Sequence, residues 1–145
     1  MKWVTRAGAK VDRIACPWLI VRFVDPKAEF LFVPEDQVEE VAKREGATPF
    51  DTKGARLGHH GDKCSFDAIV KEYAIKDPAV HALAEVVRAA DIRGARSAAA
   101  EGAGLELIAD GFRRISKDDY ENMGRQFWVY DALYAAVKAR LEKGA

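Results

Sequence analysis

The stretch Leu57-Gly58-His59-His60-Gly61-Asp62-Lys63-Cys64-Ser65-Phe66-Asp67 divides the chain into two patterns. Ahead of it, short β-prone runs alternate with helical ones. Behind it, every long segment has helical spacing. Lys53 to Lys63 holds three glycines and almost no apolar residues, so it reads as a loop, and loops on a scaffold often carry function. Ser65 is the expected cap of a helix running to about Ala74.

Toward the N-terminus, Thr48 to Asp51 reads as a short strand. Glu35 to Glu45 reads as a helix with Val38, Val41 and Ala42 facing in and Gly46 as its stop. Glu29-Phe30-Leu31-Phe32-Val33 is the clearest strand, closed by Pro34. Arg13 to Val24 is mostly apolar, with the spacing of a buried helix. Pro17 predicts that the regular helix begins near it, and Asp25-Pro26 ends it, because the residue before a proline avoids helical angles. Lys2 to Thr5 is a β-prone run that ends by Gly8. Strands alternating with helices favour an α/β or α+β sheet over a bundle.

Toward the C-terminus, Asp77-Pro78 is a cap-then-proline start for a helix to about Ala90. A second helix is expected over roughly residues 97 to 111. Ser116-Lys117-Asp118-Asp119 opens a last one that continues through Tyr134 to Leu141. No linker or repeat interrupts the chain. The expectation is one domain over residues 1–145, with a small β-sheet and helices in the N-terminal half and an all-α C-terminal half.

Composition narrows the function. At 145 residues with 49% hydrophobic and 32% charged content, the chain can bury roughly 68–70% of its unfolded surface. It needs neither disulfide nor metal to fold, so any thiol or metal site is there for function. The 23 basic and 23 acidic residues cancel. Nucleic-acid affinity comes mainly from clustered cations on phosphates, and no helix-turn-helix or zinc-finger pattern is present, so nucleic-acid binding by this chain alone is not expected. There is no run of about 18 apolar residues for a membrane span and no signal-peptide pattern at the start. The two cysteines are not a CxxC pair and would be reduced in the cytosol. A cytoplasmic protein is expected. No GxGxxG or P-loop pattern occurs, so no nucleotide cofactor is expected.

The dividing loop gathers two of the three histidines and one of the two cysteines. Imidazole and thiolate together suit a divalent metal ion such as zinc or iron. His59 and Cys64 are the candidate metal ligands, with Cys16, Asp62 or Asp67 able to complete the set. The competing reading is a polar loop with solvated histidines and Cys64 packed at a helix start. Cys64 precedes a helix beside Lys63 and His59, and Cys16 precedes Pro17 near Arg13. Helix starts and nearby cations lower a thiol pKa, so Cys16 and Cys64 are the candidate catalytic thiols. Arg6-Ala7-Gly8-Ala9-Lys10-Val11-Asp12-Arg13 carries three cations around a glycine ahead of a helix. That is a natural anion site, with Arg6, Lys10, Asp12 and Arg13 as candidate ligand-binding residues. A solvated loop with an Asp12–Arg13 cap is the alternative. His81 reads as a surface histidine. Tyr130 and Tyr134 share a helix face as packing residues, with Asp131 within reach of a site.

Several segments together resemble the C-terminal domain of ChrB-type chromate resistance proteins. They are Lys10-Val11-Asp12-Arg13-Ile14-Ala15-Cys16-Pro17-Trp18-Leu19-Ile20, the loop from Gly58 to Asp67, and Val129-Tyr130-Asp131-Ala132-Leu133-Tyr134-Ala135. Phe30 to Pro34 and Val86 to Asp91 also fit, so the likeness covers nearly the whole chain. His59, Gly61 and Cys64 match the family's loop, while His60 stands where the family has arginine. That departure moves the loop from pure anion binding toward metal. The resemblance implies a role in the chromate response, the full-length relatives being chromate-responsive regulators with a further N-terminal region. Fold and family do not fix the chemistry. The expected function is a metal ion or oxyanion bound through a Cys/His/Arg site in a stress response. The alternative is a small thiol- or metal-dependent enzyme, and an adaptor whose motif residues only pack is a third reading. Expected partners are a small anion or metal ion, with no membrane, and with a homodimer allowed.

Overall fold

Lys2–Arg6 (β1) is the middle strand of a three-stranded parallel sheet, ordered β2-β1-β3 with Glu29–Val33 (β2) and Thr48–Pro49 (β3). The computed structural model describes residues 1–92 and 99–144. Trp3 lies opposite Phe30 on one side and Thr48 on the other. Parallel neighbours require a crossover. Asp12–Phe23 (α1) supplies the first, and a 3-10 turn at Glu35–Gln37 followed by Val38–Glu45 (α2) supplies the second. Successive strand residues point to opposite faces. Val4 packs with Val38, Val41 and Ala47 on the α2 side, while Trp3 joins the main core with α1. Trp3, Val4 and Thr5 are all fully buried, as a parallel strand covered on both faces must be.

The rest is helical: Ser65–Glu72 (α3), Pro78–Asp91 (α4), Glu101–Ile115 (α5) and Asp119–Glu142 (α6). Among the described residues no strand follows Ser65, which is the α/β-then-α order read from the dividing loop. Trp18, Phe50, Phe66, Leu83 and Tyr130 are fully buried in one cluster that draws on both halves. Each such apolar side chain contributes about 1.5–3 kcal/mol by leaving water. No helix among the described residues is long and apolar enough to cross a membrane.

Several boundaries differ from expectation for local reasons. Helix α1 begins at Asp12, and Pro17 lies inside it. Proline has no N–H for the carbonyl of residue 13, but Ile14 to Ile20 are all buried, and that packing outweighs the lost bond. The cap of α3 is Cys64, not Ser65. Asp67 accepts from the Cys64 N–H at 3.0 Å, and Ser65 is the first helical residue. The third strand is shorter than Thr48–Asp51, because Phe50 bridges to Leu57 of the loop. Gly46 stops α2 at φ +64°, and Asp77 caps α4 through the Ala79 N–H at 2.8 Å. The expected helix start near residue 97 lies outside the described residues, and α5 is in place from Glu101.

Candidate metal site

The strands β1 and β3 end side by side, and the chain beyond each turns over the same edge of the sheet. In open α/β folds that edge is where ligands bind. Asp12 opens α1, Asp51 follows β3, His59 stands on the loop, and Asp91 is the last residue of α4. Four separate segments therefore bring their side chains to one point. His59 Nε2 lies 2.8 Å from Asp91 Oδ2, 3.4 Å from Asp51 Oδ1 and 3.5 Å from Asp12 Oδ2. One donor atom each from Asp12, His59 and Asp91 lie within 4.8 Å of one another.

The surroundings fix these groups in place. Asp12 Oδ2 accepts from the Ser65 N–H at 2.7 Å. The Ser65 hydroxyl donates to Asp51 Oδ1 at 2.8 Å, and Arg13 Nη1 donates to Asp51 Oδ2 at 3.2 Å. Asp51 adopts φ +46°, uncommon for a residue with a side chain and typical of strain kept at functional positions. The segment leading to Asp12 is held by α6. Asp119 accepts from the Gly8 and Ala9 N–H groups at 3.0 and 2.7 Å. Asn122 donates to the Ala9 carbonyl at 3.1 Å and accepts from Gln126 at 2.5 Å. Tyr130 donates to the Val11 carbonyl at 3.4 Å.

Burial and crowding set the protonation of the cluster. Burial pushes Asp12 up to about 7, and the charge of Asp91 pushes the same way. Asp91 is raised by burial and then by Asp51. Burial would also raise Asp51, but hydrogen bonds from His59 and Ser65, with Arg13 beside it, bring it below the usual carboxylate value. His59 is raised to about 10 by its hydrogen bonds to Asp12 and then Asp51. The imidazolium of His59 is thus the positive charge around which three carboxylates gather.

The structure sorts the residues singled out in the sequence. Asp12, Arg13 and His59 are brought together. Arg6 donates from Nε to the Asp51 carbonyl at 3.3 Å, which places it at the same edge. Lys10 turns away to Glu106 on α5 at 3.5 Å. Cys16 Sγ lies 3.8 Å from Asp12 Oδ1, so it borders the cluster from beneath. Cys64 Sγ faces Asp67 Oδ2 at 3.3 Å and does not join His59 in the donor group. The setting of both thiols is acidic, not electropositive as their helix-start positions suggest. Cys16 is pushed well up by burial and then by Asp12 and Asp51, and Cys64 by burial and then by Asp12 and Asp67. Both are held as buried thiols. His60 bonds the Arg56 carbonyl and His81 the Ile75 carbonyl, each at 2.7 Å. Asp131 accepts from Trp18 at 2.7 Å and from Arg22 at 2.8 and 3.0 Å, so it fastens α6 to α1. Asp51, Ser65 and Asp91 are cluster members that sequence reading did not single out. Asp91 stands far from the loop in sequence, and Asp51, two residues ahead of the loop, was read only as the end of a strand.

The chain belongs to the family described as "ChrB, C-terminal domain", which matches residues 3–137 and so spans every residue of the cluster. This is the ChrB-type chromate resistance family that the motifs resemble. In particular, the chain is similar to Protein ChrB of Cupriavidus metallidurans, with 33% identity over 135 residues. The match covers 92% of this chain and 40% of that protein, so the chain spans about two-fifths of its relative's length. No solved structure matches.

Proposed function

We propose that this ChrB-type domain holds a divalent cation between Asp12, His59 and Asp91, and that this is its part in the chromate response. One observation carries the reading: a single imidazole nitrogen lies within 3.5 Å of carboxylates from three different segments. Buried carboxylates are costly unless paired or bound to a metal. Asp12 and Asp91, both raised by burial and by neighbouring carboxylates, are the pair whose crowding an entering cation would relieve. Two carboxylate oxygens and one imidazole suit manganese, iron or zinc in their divalent states, and the absence of a thiolate from the group argues against a softer ion. Binding requires neutral imidazole and ionised carboxylates, so the His59 proton leaves as the ion enters. Asp51 and Ser65 would then orient the ligands from outside, a role that outer partners of metal sites regularly fill.

His59 is 44% exposed, so an ion held here keeps an open side toward solvent. Open positions are where metal sites accept a ligand or a water. Equilibrium dialysis of the full chain against Mn(II), Zn(II) and anaerobic Fe(II) tests the reading. One ion per chain is expected, with uptake lost in His59→Ala. Equal uptake by parent and variant would overturn it.

A further inference from the structure

An open cleft of about 500 Å³ adjoins the cluster on the side of His59. Arg6 and Asp51 bound it at the sheet edge, the turn at residues 52–55 forms one wall, and His60 lies at the rim beside His59. The charges facing it are unequal. Asp51 is already met by Arg13 and Ser65. Glu35 is 59% exposed and reaches Arg6 only at 3.9 Å, a spacing and exposure at which an ion pair holds little. Arg6 is anchored by its Nε to the Asp51 carbonyl, which leaves both terminal guanidinium nitrogens without a close hydrogen bond among the described residues. Lys53, on the turn, is exposed and has no ion pair among the described residues. Two under-used cations therefore stand beside the cation site proposed above.

We infer that this cleft binds a small phosphate ester, its phosphate between Arg6, Lys53 and the ion and its organic part along the turn at residues 52–55. This rests on the cation reading of the Asp12–His59–Asp91 cluster. The head group follows from charge. Two cations lining the cleft and a third charge beside it match a doubly charged phosphate better than a singly charged carboxylate, and a guanidinium holds phosphate oxygens in a bidentate fork. The organic part follows from volume, since the cleft lies in the size range of small-molecule pockets and offers far more room than a bare four-oxygen anion fills. The Gly54 backbone at φ +78° keeps the turn free of a side chain where the ligand's body would lie.

The test is calorimetric titration of the full chain, loaded with Mn(II) and metal-free, with glycerol 3-phosphate, inorganic phosphate, chromate and glycerate, metal uptake being measured on the same samples. Glycerol 3-phosphate should bind the loaded chain more tightly than either inorganic anion or glycerate. Arg6→Gln and Lys53→Gln should each weaken it about tenfold or more. Metal uptake without ester binding, or ester binding that both variants keep, overturns the cleft and leaves the cation reading standing. Ester binding that depends on Arg6 without any metal uptake supports the cleft and overturns the cation reading. Glycerate or chromate bound as tightly as the ester overturns the phosphate-ester assignment, and binding of nothing by either form overturns both.

Discussion

His59 Nε2 and Asp91 Oδ2 stand 2.8 Å apart, joining the loop that divides the sequence to the last residue of α4. Apart from His59, no side chain among the described residues bonds Asp91 directly. The Asp12 backbone N–H also bonds the Asp91 carboxylate, a bond that the asparagine side-chain oxygen can keep, so Asp91→Asn should disturb the cluster more than the fold. Asp91→Asn should lower divalent-metal affinity by roughly 100-fold, equivalent to about 2.7 kcal/mol, while thermal unfolding of the metal-free chain changes little. A Kd within threefold of the parent would remove Asp91 from the ligand set.

The α6 clamp on residues 8–11 should act on the site at a distance. Asp119→Ala leaves the Gly8 and Ala9 N–H groups without the carboxylate they now share. Hydrogen bonds to a charged group contribute about 1.5–3 kcal/mol, so a drop in stability of that order is expected in denaturant melts. Outer partners of metal ligands cost roughly 10–100-fold in affinity when removed. Asp119→Ala should fall in that range for metal, because Asp12 begins where the clamped segment ends. A loss of stability with unchanged metal affinity would make the clamp purely structural.

Both cysteines are fully buried beside carboxylates, so neither should behave as an activated nucleophile. Iodoacetamide at pH 8 should leave the native chain unlabelled for as long as it stays folded and modify both thiols in denaturant. Rapid labelling of one thiol in the native protein would restore the thiol-enzyme reading. Cys64→Ala should destabilise the chain by leaving a cavity. His59→Ala should destabilise the metal-free chain as well, because the buried Asp12 and Asp51 carboxylates lose the cation that faces them.

The approach of α5 to α4 turns on Gly102. A Cβ there would lie 2.7 Å from the Ala89 Cβ and 2.8 Å from its carbonyl carbon, and backbone cannot move aside as a flexible side chain can. Gly102→Ala should cost about 1–3 kcal/mol as overpacking. Gly104, one turn-fraction away with nothing within 4 Å, is the control, since alanine there should gain about 0.5–1 kcal/mol of helix stability. Equal effects at both positions would contradict the packing.

The fold was legible because its signals are local. Gly46, Asp77-Pro78 and the polar loop each act within a few residues, and the structure keeps all three. Pro17 misled because its usual meaning at a helix start gave way to burial on every side of α1. The site was half legible. His59, Asp12 and Arg13 stand in motifs with visible chemistry, but their partners Asp51 and Asp91 are single aspartates joined to them only by the folded sheet edge. Cys64 read as a metal ligand because it shares a glycine-containing loop with His59, five residues away. What it met instead was Asp67, three residues on, in a capping arrangement.

Asp12, His59 and Asp91, if they share one divalent ion, must hold it in contact with all three side chains. Anomalous diffraction from crystals of the full chain soaked in Mn(II), recorded on either side of the manganese edge, locates that ion. One strong anomalous peak per chain is expected in contact with Asp12 Oδ2, His59 Nε2 and Asp91 Oδ2. A map with no peak there, or with its peak at the Cys64–Asp67 pair instead, would contradict the shared ion.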